Sequence, residues 1–234
     1  MPAAHRTPMS EVAQKPDPAE GSFVVRDCAL VAIATGLQAS SAREFLDRLL
    51  AVESASIYYH FWGNLLEPRF EEREYNNDFA SWIRHRLHDP VLAERLAVLD
   101  PTDHPDLDML RQMMVDLIEE RLDEDPNLAW ARAAEPFEFI RSKIVVFDSH
   151  RRIREAAALV ELIPQLSPSS IFYHFVDARR REPFGHDDFS LWLEGLGDDH
   201  RELCRSIADI DPYFGSLTEL RAELGAVVSR HFGG

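Results

Sequence analysis

The chain has 234 residues, of which 45% are hydrophobic and 28% are charged, and this composition excludes a wholly disordered, collagen-like or low-complexity protein. The length is sufficient for a substantial hydrophobic core. The 25 Lys and Arg residues against 41 Asp and Glu residues give a formal net charge of −16, which repels phosphate backbones and anionic lipids. We therefore expect no nucleic acid and no membrane among the partners.

The N-terminal segment, residues 1–22, is polar and contains several prolines, and we expect it to be a disordered tail. It has no apolar stretch typical of a secretory signal, and the chain has no run of about 18 apolar residues that could cross a membrane. Cys28 and Cys204 lie far apart and outside any CxxC pair, which is typical of small buried side chains. The sequence therefore predicts a soluble cytoplasmic protein.

An internal repeat begins at residue 23. Residues 56–61 (Ser-Ile-Tyr-Tyr-His-Phe) recur as residues 170–175 (Ser-Ile-Phe-Tyr-His-Phe), and the same offset of 114 pairs Phe23 with Phe137. A second block, Asn-Asp-Phe at residues 77–79, recurs as Asp-Asp-Phe at residues 187–189. These matches predict a tandem duplication.

The duplication divides the chain after the tail into three parts. Residues 23–122 form the first repeat, residues 123–136 a linker, and residues 137–234 the second repeat. The connection from the repeated His to the repeated Asp is 18 residues long in the first repeat and 14 in the second, so the extra residues belong to a loop.

The apolar spacing inside each repeat is helical. Ser41 with Glu44, or alternatively Thr35 with Gln38, predicts the start of an early helix, and Ser149 predicts a corresponding start in the second repeat. Ser216 with Glu219 predicts a capping box. At the end of the first repeat, six apolar residues share one helical face: Leu107, Leu110, Met114, Leu117, Ile118 and Leu122.

Strand signals are weak. Residues 144–147 (Ile-Val-Val-Phe) have β-type composition, but the equivalent residues 30–33 lie among alanines and favour a helix. We therefore predict an all-α fold of two tandem, internally duplicated helical bundles.

The polar residues kept in both repeats are the candidate site. They are Ser56, Tyr59, His60 and Asp78 in the first repeat and Ser170, Tyr173, His174 and Asp188 in the second. Imidazole and carboxylate groups can bind a transition metal or transfer protons, and the two sets could converge across a twofold axis. The Glu-x-x-His spacing of di-iron bundles is missing from both repeats.

A structural role for the same residues carries more weight. Asn77-Asp78-Phe79 and Asp187-Asp188-Phe189 lie where a helix is predicted to begin, and an Asp or Asn there accepts backbone N–H groups. A His among Tyr, Phe and Ile is more often a buried ring that joins its helix to a neighbouring carbonyl or cap. The Ser before it is a natural N-cap for the aromatic helix.

Motifs of several large enzyme classes are absent. The chain contains no GxxxxGK[ST], GxGxxG, HExxH, GxSxG or CxxC motif. The two repeated elements, Ser-x-x-Tyr-His at residues 56–60 and Asn-Asp-Phe-Ala-x-Trp at residues 77–82, resemble those of an uncharacterised prokaryotic family, a domain of unknown function. The second repeat departs from this pattern with Asp187 in place of Asn and Ser190-Leu191 in place of Ala-Ser. The resemblance implies a soluble, helical, intracellular protein and implies no activity.

We therefore expect a non-enzymatic module that binds a protein partner or regulates it. The charge of −16 favours a basic partner, and self-association is the other option. One alternative is a metal-dependent enzyme that uses the pairs His60/Asp78 and His174/Asp188. Another is a small-molecule sensor with a pocket between the repeats, lined by Tyr59 and Tyr173. No cofactor is predicted, and a transition metal at the two pairs is left open.

Overall fold

The computed structural model describes residues 21–66, 74–101, 104, 106–181, 183–212 and 215–233. The predicted disordered tail lies outside the described residues, apart from Gly21 and Ser22. In the first repeat the strand and helices are β1 (Phe23–Ala39), α1 (Ala42–Ala51), α2 (Ser54–Trp62), α3 (Asp78–Trp82), α4 (Pro90–Ala97) and α5 (Leu107–Glu124). In the second repeat they are β2 (Phe137–Ile153), α6 (Leu159–Leu162), α7 (Pro168–Ile171), α8 (Asp188–Leu196), α9 (Arg201–Ala208) and α10 (Leu217–Phe232).

Short irregular helical turns extend several of these helices. A π-helical turn, Ile83–Leu87, follows α3, and a second one, Phe172–Val176, follows α7. The linker contributes the last residues of α5 and a 3₁₀ turn, Pro126–Ala129. No helix within the described ranges is both long enough and apolar enough to cross a membrane.

Several local signals in the sequence are confirmed. Ser41 is the N-cap of α1 and accepts the backbone N–H of Glu44, so the alternative start at Thr35 is wrong. Ser216 and Glu219 form the predicted capping box at the start of α10. Cys28 and Cys204 are both buried free thiols, as expected.

The prediction of an all-α fold is wrong. The strands β1 and β2 are each 17 residues long and pair in antiparallel fashion as a two-stranded sheet, here called the ribbon. Residues 30–33, predicted as helix, lie in its middle. They are not alternately polar and apolar, because both faces of the ribbon carry apolar side chains there. The residues with which 30–33 pair are more than 100 positions away in the chain, so no local sequence pattern indicates the pairing.

The ribbon has a local twofold axis. Leu30 pairs with Ile144, which is its own equivalent at the offset of 114. The cross-strand pairs, here called rungs, correspond on the two sides of this pair, as Asp27–Phe147 corresponds to Ile33–Arg141. The exception is Val25–Arg151, because the equivalent residues Leu37 and Phe139 are not paired. The axis therefore passes through the Leu30–Ile144 pair and relates the two repeats.

A bulge interrupts each strand at an equivalent place. Register shifts leave Thr35, Gly36 and Leu37 of β1 unpaired opposite Phe139, and Ser149 and His150 of β2 unpaired. Gly36 has φ +76° and His150 has φ +61°, so both adopt the left-handed conformation. In each bulge the hydroxyl donates to the facing strand, Ser149 Oγ to the Val25 carbonyl at 2.7 Å and Thr35 to the equivalent carbonyl. The extra residues bend the ribbon at both ends.

The two repeats exchange their strands. Phe23, at the start of β1, stacks on Phe189 of the second repeat with ring centres 5.0 Å apart. Its equivalent Phe137, at the start of β2, lies 5.4 Å from Phe79 of the first repeat. Each set of helices is therefore completed by the strand of the other repeat, and the buried apolar residues form a single core cluster. The chain therefore does not form two tandem bundles with separate cores.

Candidate functional site

His60 lies on α2, and both of its ring nitrogens have hydrogen-bond partners. Nε2 accepts the backbone N–H of Ile140, on β2, at 3.1 Å. Nδ1 lies 3.0 Å from Oδ2 of Asp78, at the start of α3. One turn before the histidine, Ser56 Oγ donates to the carbonyl of the same Ile140 at 2.8 Å. The Ser and His, four residues apart on one helical face, thus bind both backbone groups of one strand residue.

His174 repeats this arrangement at the other end of the ribbon. Its Nε2 accepts the backbone N–H of Arg26, on β1, at 2.8 Å, and Ser170 Oγ donates to the Arg26 carbonyl at 2.7 Å. Its Nδ1 lies 2.6 Å from Oδ2 of Asp188. Arg26 and Ile140 are equivalent at the offset of 114, so the two contacts are related by the twofold axis. We call each such set of Ser, His, Asp and bound strand residue a strand clamp.

The geometry determines the tautomer of both rings. A backbone N–H can only donate, so Nε2 must carry a lone pair, and the ring proton is on Nδ1, where it is donated to the carboxylate. His60 is 3% exposed. Burial lowers the pKa of His60 below its ordinary value, although the hydrogen bond to Asp78 opposes this change. The His60 clamp is therefore built for a neutral imidazole.

The two polar residues that precede Phe79 and Phe189 in the repeated block have separate roles. The predicted helix-capping role belongs to the first of them, since Asn77 accepts the N–H of Ala80 and Asp187 accepts the N–H of Ser190. Asp78 and Asp188 instead orient the histidine rings. The prediction that Ser56 is an N-cap is wrong as well, because Ser56 lies within α2 and the N-cap is Glu53.

The tyrosines next to the histidines pack against them. Tyr59 lies edge-on to His60 with ring centres 5.2 Å apart, and Tyr173 lies 5.0 Å from His174 in the same way. Tyr173 is covered on one face by the guanidinium of Arg181, 4.3 Å from the ring centre. The tyrosines therefore support the two clamps, one in each repeat.

The structure does not bring the two His/Asp pairs together. Ile140 pairs with Ala34, eight residues along β1 from Arg26, so the two clamped points are roughly 26 Å apart along the ribbon. Within the described residues, no group of three or more His, Cys, Asp or Glu side chains is placed to hold a metal ion. With both ring nitrogens engaged, neither histidine has a free lone pair for a metal or a substrate proton.

The family of the chain follows from its sequence as a whole. A model of a family of unknown function, DUF5752, matches residues 20–229. The chain belongs to this family. The resemblance inferred from the repeated Ser-x-x-Tyr-His and Asn-Asp-Phe motifs is thereby confirmed at the level of an uncharacterised family. A search of curated proteins gives no match.

The DUF5752 chain also resembles a solved structure, OrfY from Thermoproteus tenax. The TM-score is 0.76, the sequence identity is 21%, and the likeness covers 92% of this chain and 98% of OrfY. At this identity the likeness establishes the fold alone. The mixed helical and ribbon architecture is thus shared with OrfY.

A buried polar contact joins the two sets of helices, and sequence reasoning missed it. Tyr58 of α2 donates its hydroxyl to Oδ1 of Asp177 at 2.9 Å, and both residues are 7% exposed. The guanidinium of Arg180 lies 4.6 Å from the Tyr58 ring centre and 4.7 Å from that of Trp62. Burial, with Asp177 adding to it, raises the pKa of Tyr58 well above its ordinary value. Tyr58 is the one position of the repeated hexapeptide that differs between the repeats, and this difference was the available signal.

A cavity lies within the second repeat. It has a volume of about 450 Å³, opens between α8 and α9, and reaches the thiol of Cys204. Asp187 and Ser190 line its wall, and burial raises the pKa of Asp187. Neither Tyr59 nor Tyr173 lines this cavity, so it does not correspond to the predicted pocket between the repeats.

Proposed function

We propose that this protein is a non-enzymatic protein-binding module and that it binds its partner on the outer face of the ribbon. The inner face is identified by Cys28, which is 4% exposed, and by Leu30 and Ile144, which pack against the core. Side chains alternate between the faces of a strand, so the neighbouring residues point outwards. The outer row consists of Asp27, Ala29, Val31 and Ile33 on β1 and Phe147, Val145, Lys143 and Arg141 on β2.

The exposed apolar side chains of the outer row carry this proposal. Val31 is 47% exposed, Val145 is 45% exposed and Phe147 is 49% exposed, and they lie on three adjacent rungs. Scattered apolar residues on a surface need no explanation, but a contiguous exposed group is typical of an interaction site. The two strand clamps support the proposal, because they use the His/Asp sets to position this ribbon.

The experiment is site-specific crosslinking. A photoreactive phenylalanine analogue is placed at Val31, and a matched control places it at Val98, which is 82% exposed at the end of α4. We expect a discrete crosslinked protein from position 31 and none from position 98. The species formed is then identified by mass and rebuilt from purified components. Equal labelling from both positions, or none from position 31, would contradict the proposal.

The acidic surface outside the ribbon supports a second candidate function, the binding of a basic partner. The strands contain five basic residues and three acidic ones, so the net charge of −16 is carried by the rest of the chain. Such binding has an association rate that falls as salt is added. A complex with a basic protein whose association rate does not change with salt would contradict this candidate.

We also propose that the protein works in the cytoplasm. Both cysteines are buried free thiols, and each donates to a backbone carbonyl, Cys28 to that of Ser169 and Cys204 to that of Ser190. Free thiols are typical of reducing compartments. Fractionation of the source cells, followed by detection of the native protein, tests this location.

A further inference from the structure

We infer that the outer row binds a second copy of this chain, so that two ribbons pack face to face in a twofold dimer. This inference rests on the proposed binding role of the ribbon and names the partner. Its starting point is the order of the residues along the outer row, which is acidic at one end, apolar in the middle and basic at the other end.

The rungs of the ribbon define this order. The first rung of the outer row pairs Asp27 with Phe147, and the next pairs Ala29 with Val145. The following rung pairs Val31 with Lys143, and the last pairs Ile33 with Arg141. Asp27 accepts the hydroxyl of Ser167 at 2.8 Å, and Arg141 pairs with Glu53 at 3.3 Å. Lys143 is exposed and makes no ion pair with any of the described residues.

A twofold axis that lies between the two ribbons and runs perpendicular to the strands turns one outer row end for end over the other. The acidic end of each row is then brought towards the basic end of the other row. If the axis passes over the Ala29–Val145 rung, it superposes the Asp27–Phe147 rung of one copy on the Val31–Lys143 rung of the other. The ammonium of Lys143 then faces the Phe147 ring and lies diagonal to Asp27, which gives a cation–π contact and an opposite-charge neighbour. The two Val145 side chains meet at the axis. Isologous contacts of this kind close after two copies.

The charge of the molecule favours the ribbon as the place of such a contact. Two copies with a net charge of −16 repel each other, and the repulsion is smallest where acidic side chains are scarce. The outer row contains one acidic and two basic residues. Added salt screens the repulsion between the two bodies and leaves the apolar contact, so dimerisation should strengthen with salt. This is the opposite of the salt dependence expected for a basic partner.

The size of the row predicts a weak dimer. Its four rungs extend about 20 Å along two strands that lie about 5 Å apart. The row therefore covers much less than the roughly 800 Å² per partner of a stable interface. We therefore expect an association that is visible at micromolar to submillimolar concentration and reversible on dilution.

The test is analytical ultracentrifugation of the full chain over this concentration range, at low and at high sodium chloride. We expect the mass to rise from one chain to two with concentration and the dimer to form more readily at high salt. Val145→Lys should weaken the association constant by about tenfold or more, as loss of a central contact does. Lys143→Glu, which places an acidic group near Asp27 of the other copy, should weaken it too. Val98→Lys is the matched control and should leave the dimer unchanged.

Each outcome decides the inference. A single-chain mass at every concentration and salt overturns it, and so does a dimer that Val145→Lys and Lys143→Glu leave intact while circular dichroism shows both variants folded. If Val145→Lys fails to fold, Lys143→Glu alone decides, since its exposed side chain has no packing role. If the chain stays monomeric but crosslinks from position 31 to a different protein, the second copy is excluded as the partner. The proposed protein-binding role of the ribbon is then retained.

Discussion

His60 accepts, through Nε2, the backbone N–H of Ile140 at 3.1 Å, and these two residues belong to different repeats. The same relationship joins His174 to Arg26 at the other end of the ribbon. The histidines retained in both repeats thus hold a strand that comes from elsewhere in the chain. They are the points at which the exchange of strands is fixed.

Replacing either clamp histidine should destabilise the fold. His60→Ala removes a buried ring, the acceptor of the Ile140 N–H and the partner of Asp78 Oδ2, while Asn64 still donates to Asp78 Oδ1. We therefore expect a loss of about 2–4 kcal/mol in the free energy of unfolding. His174→Ala should behave alike. Urea denaturation measures both. The control is His85→Ala on a half-exposed ring, with an expected change below about 0.5 kcal/mol. Wild-type stability in both clamp variants would show that the clamps do not hold the ribbon.

Stability should fall as the pH is lowered through the histidine range. Burial places the pKa of folded His60 below the unfolded value of about 6.5, so the unfolded chain binds more protons below that pH. The contribution of His60 is therefore complete above about pH 7 and is lost progressively as the pH falls below about 6.5. Urea midpoints between pH 8 and pH 5 measure this dependence. The pH dependence should be smaller in His60→Gln, and an identical dependence in that variant would assign the effect to other groups.

The exchange of strands predicts that neither repeat folds alone. Residues 1–136 lack β2, which supplies Phe137 and Phe139 to the first set of helices, and residues 137–234 lack β1. We expect each fragment alone to lack cooperative unfolding as a monomer and an equimolar mixture to regain the helicity of the intact chain. Circular dichroism during titration of one fragment with the other measures this. A fragment comprising residues 40–136 is the control for the mixture, since it has no strand to exchange. Two fragments that each unfold cooperatively as monomers would contradict the exchange.

The bulges predict opposite effects of two equivalent substitutions. Gly36 has φ +76°, and a Cβ added there meets open space, so Gly36→Ala tests the backbone conformation alone. We expect it to cost about 1–2 kcal/mol of stability. His150 has φ +61° in the equivalent bulge, and His150→Gly should be neutral or stabilising. Thermal unfolding of the two variants compares them. Equal effects of the same sign would mean that the two bulges are not equivalent.

Sequence reasoning found the parts of the fold that depend on neighbours in the chain. Ser41 and Ser216 were recognisable as caps, because a cap is defined by a residue three positions later. The clamp residues were recognisable as a group, because the offset of 114 singled them out. Their task was not recognisable, since Ile140 contributes only backbone atoms to the clamp, and every residue type carries these.

The ribbon was missed for a related reason. The strand pairing joins residues 98 to 130 positions apart, and residues 30–33 lack the alternation that marks a strand with one buried face. Thr35 and Ser149 resemble helix caps in the sequence, whereas in the structure they donate across the bulges. The aligned positions of the two hydroxyls at the offset of 114 were a signal of the symmetry.

Nuclear magnetic resonance of the histidine side chains tests the central claim, that His60 and His174 hold the ribbon as neutral rings with both nitrogens engaged. At neutral pH, nitrogen-15 correlation spectra should show both rings as the Nδ1–H tautomer, with slowly exchanging protons and no change on addition of zinc or a chelator. An Nε2–H tautomer, or a ring whose nitrogens shift with zinc, would contradict the strand-clamp account and restore the His/Asp pairs as candidates for metal chemistry.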